Sequence, residues 1–220
     1  MTLRESRWLI VLELMLLTGV FVADRYHLVF LSKTPYLLAL GWLSLALRGM
    51  RWRDVGLVRP ASWTRALLIG VTAGIVMELL ELFITQPLIV HVTGRYPDLT
   101  QLRGAVGNLR LLLLLVAGSW VLAAAGEELV WRGYVLGRLW DLLGRGAAGG
   151  ALALALMSVG FGLAHLDQGA TGVIENAIDG LLLGLLYVGN QRLLIVPLIA
   201  HGITDTLDSL LIYSGHYPGL

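Results

Sequence analysis

Two long, predominantly apolar blocks constrain this chain more than any other feature: "LRLLLLLVAGSWVLAAAG" from Leu109 and "ALALALMSVGFGLAHL" from Ala151. Neither alternates in polarity, so neither can be a membrane β-strand with one wet face. Each is long enough to cross much of a bilayer as a helix, where every backbone polar group is satisfied within the segment. Similar runs recur along most of the 220 residues, of which 57% are hydrophobic and 14% charged. The mean hydropathy is +0.77. We therefore expect an all-α, polytopic transmembrane helix bundle forming a single membrane-embedded domain over residues 1–220.

At roughly 20 residues per crossing, spans fall near residues 7–23, 35–48, 64–91, 109–140, 148–166, 173–190 and 193–213. That makes about seven, with six to eight as the range. The third and fourth exceed one straight crossing and imply a tilt, a kink or an added amphipathic segment. The N-terminal stretch imitates a secretory leader, but "VFVAD" is a poor cleavage site and further spans follow, so a retained first helix is expected.

Cysteine is absent, which removes disulfides and thiolate chemistry. The net charge of +1 gives no reason to expect nucleic acid as a partner. Charge placement is more telling. The connection "RGMRWRDVGLVRPASWTR" holds arginines 48, 51, 53, 59 and 65, and the positive-inside tendency assigns it to the cytoplasm, together with Arg4 and Arg7. The loop "HVTGRYPDLTQLRGAVGNLR" would then be external despite Arg95, Arg103 and Arg110. Trp8, Trp42, Trp52 and Trp63 flank spans and read as interface anchors. The pairs Gly70/Gly74, Gly133/Gly137 and Gly180/Gly184 read as close helix contacts.

Ionisable residues inside apolar helices are costly, by at least about 2.5 kcal/mol each at mid-bilayer, and so are informative. Three groups stand out: Glu127, Glu128 and Arg132 in "GEELVWRG"; His165 in "FGLAH"; His201 and Asp205 in "HGITD". Glu128 and Arg132, Phe161 and His165, and His201 and Asp205 are all i, i+4 pairs that share a helix face. Arg132 can neutralise Glu128, while Glu127 points about 100° away on an α-helix. A desolvated, unpaired carboxylate suits a general base. The competing reading is a buried ion network that fixes packing. Pro197 falls in the first turn of the last span, and Asp205 is placed to hold the His201 ring. Glu13, Glu78 and Glu81 are expected to pair with arginines, and Glu175 and Asp179 either line the same cavity or merely start a helix. The inventory suits hydrolysis. No His-Glu-x-x-His, Gly-x-Ser-x-Gly or phosphate-binding glycine loop competes with it.

In these residues the chain resembles the CAAX protease and bacteriocin-processing (CPBP, or Abi) family of glutamate-dependent intramembrane proteases, which includes the type II CAAX prenyl endopeptidases. "EELVWR" is similar to its Glu-Glu-x-x-x-Arg motif, "FGLAH" to Phe-x-x-x-His, and "HGITD" to His-x-x-x-Asn/Asp. The likeness covers residues 120–210. It implies that Glu127, with His165, activates water, that Glu128 and Arg132 support the motif, and that His201 and Asp205 serve the oxyanion side. Asp205 stands where eukaryotic members carry Asn and cannot donate a hydrogen bond unless protonated, so its expected task is to orient His201. The family mechanism implies no cofactor. Zinc held by Glu127, His165 and His201 is the minor reading, opposed by the adjacent Arg132 charge.

The resemblance further implies a protein or peptide substrate at the bilayer, such as a bacteriocin precursor, a sorting tail or a lipidated terminus, and a multi-pass protein of a bacterial inner membrane. A proton-coupled transporter and a non-catalytic scaffold or immunity protein of the same fold remain the alternatives. One geometric difficulty accompanies the protease reading. On straight helices His165 and His201 differ by about 13 Å in depth.

Overall fold

The computed structural model describes residues 6–30 and 32–220; Arg4, part of the basic N-terminal flank, lies outside them. The chain is 79% helical, with no strand among the described residues, so the all-α expectation holds. The main helices are α1 (Arg7–Arg25), α2 (Thr34–Leu47), α3 (Trp63–Thr93), α4 (Leu109–Leu143), α5 (Ala147–Leu163), α6 (Gly169–Gly189) and α7 (Ile195–Ser214). They coincide in order with the expected spans. Among the described residues, Trp63–Thr93, Leu109–Leu143, Leu166–Gly189 and Ile195–Ser214 are long and apolar enough to cross a membrane. Helices α2 and α5 are apolar but shorter. This is the build of a membrane protein.

Local sequence sets the helix ends. Ser6, Ser62 and Asn108 each accept a hydrogen bond from a first-turn backbone N–H, at 3.3, 3.3 and 3.2 Å, relieving donors that have no partner within the helix. Gly94 and Gly215 stop α3 and α7 in the left-handed region, at φ 70° and 73°, where a Cβ would be strained.

The two long helices are not uniform. Helix α3 contains a π segment at Glu81–Thr85, and α4 contains two, Ser119–Glu127 and Leu129–Val135, on either side of Glu128. The excess length foreseen for these spans is thus partly taken up by wider π turns, which need more residues per turn than an α-helix.

Small residues bring the helices together, as lipid-facing helices require when no hydrophobic difference drives association. A Cβ on Gly70 would stand 2.7 Å from Ile199, and one on Gly74 2.6 Å from the Ala200 carbonyl, so α3 and α7 cross almost backbone to backbone. Gly180 meets Ser158 and Phe161 of α5 in the same way, at 3.1 Å. The third pair is split: a Cβ on Gly133 would meet Leu194 at 3.3 Å, whereas Gly137 faces open space.

Two expectations need correcting. Trp52 is no free anchor; it is half-buried, and a Cβ on Gly41 would stand 3.0 Å from its ring. Arg48 does not belong to the solvated basic loop. It is 5% exposed, pairs with Glu13, and donates to the Ser44 hydroxyl and carbonyl at 2.9 and 3.1 Å. A charge so far from water needs such partners.

The ends of the bundle differ in character. Arg7, the 53–65 connection, Arg145 and Arg192 surround one end. The 97–102 segment, His165 and Tyr217 surround a cavity toward the other.

Candidate active site

Small side chains lead α4 into the site. Ala123, Ala124, Ala125 and Gly126 precede the two glutamates, and Gly126 passes so close to Thr34 of α2 that a Cβ would collide with it. Beyond this point Glu128 and Arg132 are completely buried. Arg132 Nη1 donates to Glu128 Oε1 at 2.7 Å and Nη2 donates to the Gly180 carbonyl at 3.1 Å. Its guanidinium lies 4.7 Å from the centroid of the Phe161 ring, an attractive arrangement for a cation over an aromatic face.

Glu128 also reaches across to α7. The same Oε1 lies 2.9 Å from His201 Nδ1. A carboxylate oxygen already accepting from Arg132 can only accept again, so Nδ1 carries the proton and Nε2 is left toward Asp205. Asp205 Oδ1 is 3.6 Å from Nε2, too far for a direct hydrogen bond. The ring is therefore held chiefly by Glu128. Same-helix spacing had suggested Asp205 for that task, because it cannot report a partner on another helix. Pro197 sits in the first turn of α7 as expected, and His201 follows about 9 Å into the helix.

His165 is not on the α5 face that its i, i+4 relation to Phe161 suggested. Helix α5 ends at Leu163, and His165 stands in the turn before the Leu166–Gln168 3₁₀ segment. Its Nδ1 lies 2.8 Å from the Phe161 carbonyl. That oxygen only accepts, so Nδ1 donates, and in the corresponding neutral tautomer Nε2 is the acceptor.

This placement removes the depth difficulty. The rings of His165 and His201 lie 5.1 and 6.2 Å from the Phe161 ring, because the chain folds back at the end of α5 instead of continuing along its axis. Trp131 backs Phe161 in an edge contact at 5.6 Å.

Glu127, His165, His201 and Asp205 all line one cavity of about 290 Å³. Glu127 is partly exposed and makes no hydrogen bond or ion pair among the described residues. Glu128 and Arg132 lie behind the wall. Glu175 and Asp179 join the lining, and Glu175 is 5% exposed with one oxygen unpartnered, so it is no solvated helix-start acid. Among the described residues, no three His, Asp or Glu side chains are grouped to hold a metal ion.

Glu81 joins the lining as well. Glu81 was expected to pair with an arginine; instead it accepts from the Tyr217 hydroxyl at 2.9 Å. Glu78, 3% exposed, likewise has no arginine partner among the described residues. Only Glu13 of these three acids is paired as foreseen. Pro97, Leu99 and Leu102 cover the cavity from the α3–α4 connection. That connection is tied down by hydrogen bonds from Asp98 N to the Gln168 carbonyl at 2.9 Å and from Gly107 N to the Tyr213 carbonyl at 2.8 Å.

Residues 109–207 match the family model described as type II CAAX prenyl endopeptidase Rce1-like. This is the chain's Rce1-like segment. It agrees with the family that the three motifs resemble and runs from the start of α4 into α7, taking in Glu127, Glu128, Arg132, His165, His201 and Asp205. The first three helices lie outside it, although Thr34 and Glu81 bear on its site. No curated protein and no solved structure matches the chain.

Proposed function

We propose that this protein is an intramembrane endopeptidase of the glutamic type, acting on a membrane-associated protein or peptide without a cofactor. The observation that carries the reading is the division of labour between adjacent acids. Glu128 is fully buried against Arg132 and His201, while Glu127, with no partner among the described residues, lines the cavity that both histidines line. The Rce1-like match supports the same reaction class.

In the proposed reaction Glu127, assisted by the bare Nε2 of His165, takes a proton from a water molecule as the oxygen attacks the scissile carbonyl carbon. The carbonyl electron pair moves to its oxygen, and His201, acting in this step as an imidazolium with Nδ1–H held by Glu128 and a second proton on Nε2 toward Asp205, donates a hydrogen bond from Nε2 to that oxyanion. Collapse restores the carbonyl and breaks the C–N bond. The proton held by the Glu127–His165 pair passes to the departing amine. Arg132 contributes by fixing Glu128, and through it His201.

Substrates of the proposed kind are bacteriocin precursors, C-terminal sorting tails and lipidated termini. The protein would sit as one multi-pass unit in a bacterial inner membrane, its arginine-rich end in the cytoplasm.

The test is cleavage of candidate tail peptides by the protein reconstituted in lipid, read by mass spectrometry for wild type, Glu127→Gln and His165→Ala. Cleavage by wild type that is lost in both variants is expected. Cleavage that survives Glu127→Gln sinks the mechanism, and proton flux without cleavage would favour a transporter.

A further inference from the structure

A second cavity, larger than the one that holds the histidines, lies elsewhere among the described residues. About 1280 Å³ in volume, it opens among the arginine-rich connections and is lined by Arg7, Arg53, Arg59, Arg65, Arg138, Arg145 and Arg192, with Arg132 at its floor. Among the described residues two acids, Asp54 and Asp141, share the lining. They answer part of the charge: Arg53 lies 3.7 Å from Asp54, and Arg138 and Arg145 lie 3.1 and 2.5 Å from Asp141. Arg59 and Arg65 are exposed and have no acidic partner among the described residues.

The wall is built rather than incidental. Arg138 is 2% exposed and lines the cavity, and its buried Nε and Nη1 have no hydrogen-bond partner among the described residues. Arg192 stacks on Trp140 at 4.2 Å. It follows Gln191 in a turn where both residues adopt φ near 60°, a conformation that ordinary residues seldom take without a reason. Hydrogen bonds from Tyr187 Oη to the Val55 carbonyl at 2.9 Å and from Leu194 N to the Gly56 carbonyl at 3.0 Å lock this turn to the 53–65 connection. The N-terminal turn of α3, at Ser62, Arg65 and Ala66, faces the same space.

We infer that this cavity binds the phosphate-bearing headgroup of an anionic phospholipid. Guanidinium forks and a helix N-terminus are both suited to phosphate oxygens. A free phosphate would leave most of the volume empty, whereas Val58 and Ile69 supply accessible apolar lining for a glycerol backbone and the start of an acyl chain. Exposed Trp8 and Trp63 stand at this end, as anchors do at the level of lipid headgroups. Nothing in the inference depends on the peptidase reading, since Arg59, Arg65 and Arg192 take no part in that reaction.

The test uses the full chain in detergent, titrated with short-chain phosphatidylglycerol, short-chain phosphatidylcholine or inorganic phosphate, and read by native mass spectrometry and thermal unfolding. Expected are a retained phosphatidylglycerol, a raised Tm with that lipid alone, and an at least about tenfold weaker half-saturation in Arg59→Gln/Arg65→Gln. Arg192→Gln should weaken binding in the same sense. Arg110→Gln, at the opposite end, should bind as wild type. Equal binding of phosphatidylcholine, full saturation by inorganic phosphate, or unchanged affinity in Arg59→Gln/Arg65→Gln would overturn the assignment.

Discussion

Glu128 Oε1 is shared by Arg132 of its own helix at 2.7 Å and by His201 of α7 at 2.9 Å. One carboxylate thereby links the motif on α4 to the motif on α7, and it is itself fully buried. Removing its charge strands the Arg132 guanidinium, whose remaining polar contact is the Gly180 carbonyl. Glu128→Ala should therefore cost about 3–5 kcal/mol of stability, measured as a lowered Tm or a lower denaturant midpoint in detergent.

Glu127 should behave in the opposite way. It makes no hydrogen bond or ion pair among the described residues, so Glu127→Gln removes a proton acceptor without removing a fold contact. Unfolding should stay within about 0.5 kcal/mol of wild type, while peptide cleavage should fall by about 100-fold or more. A large loss of stability in Glu127→Gln would mean that its carboxylate has a structural partner.

These two residues also mark how far the sequence could be read. Apolar run length located the helices, because lipid demands it, and i, i+4 spacing found the Glu128–Arg132 pair, because that pair lies within one helix. Spacing is silent about partners on other helices, so the His201–Glu128 contact and the Tyr217–Glu81 contact went unforeseen. It also assumes α geometry. The π segments around Glu128 and the fold-back after Leu163 changed where Glu127 and His165 face, and with them the apparent gap in depth between the histidines. The 97–102 cover over the cavity left no trace in periodicity, since a connection has none.

The α3–α7 crossing offers a packing test independent of any chemistry. Gly74 faces the Ala200 carbonyl and Ile203, which a Cβ would approach to 2.6 and 2.8 Å. The closest obstacle is backbone, which cannot rotate away. Gly74→Val should lower stability by about 1–3 kcal/mol, seen as a reduced Tm, and should shift α7 and the His201 it carries. Gly137→Ala, with open space at its Cβ position, should show no such loss.

Phe161 is where the three motifs converge physically. Its ring touches those of His165 and His201 and lies beneath the Arg132 guanidinium, at 5.1, 6.2 and 4.7 Å between centres. An aromatic ring here contacts both histidines and attracts the nearby cation. Phe161→Ala would open a cavity at a site 2% exposed and should cost about 3–5 kcal/mol, so activity lost in that variant would be ambiguous. Phe161→Leu separates the effects. It keeps an apolar filling and should cost about 1–2 kcal/mol, leaving a folded protein in detergent. It also removes the aromatic ring that both imidazoles contact, so kcat for peptide cleavage should drop at least about tenfold, with little change in KM. Near-normal kcat in a folded Phe161→Leu protein would show that the hydrogen bonds to Glu128 and the Phe161 carbonyl suffice to place the two histidines.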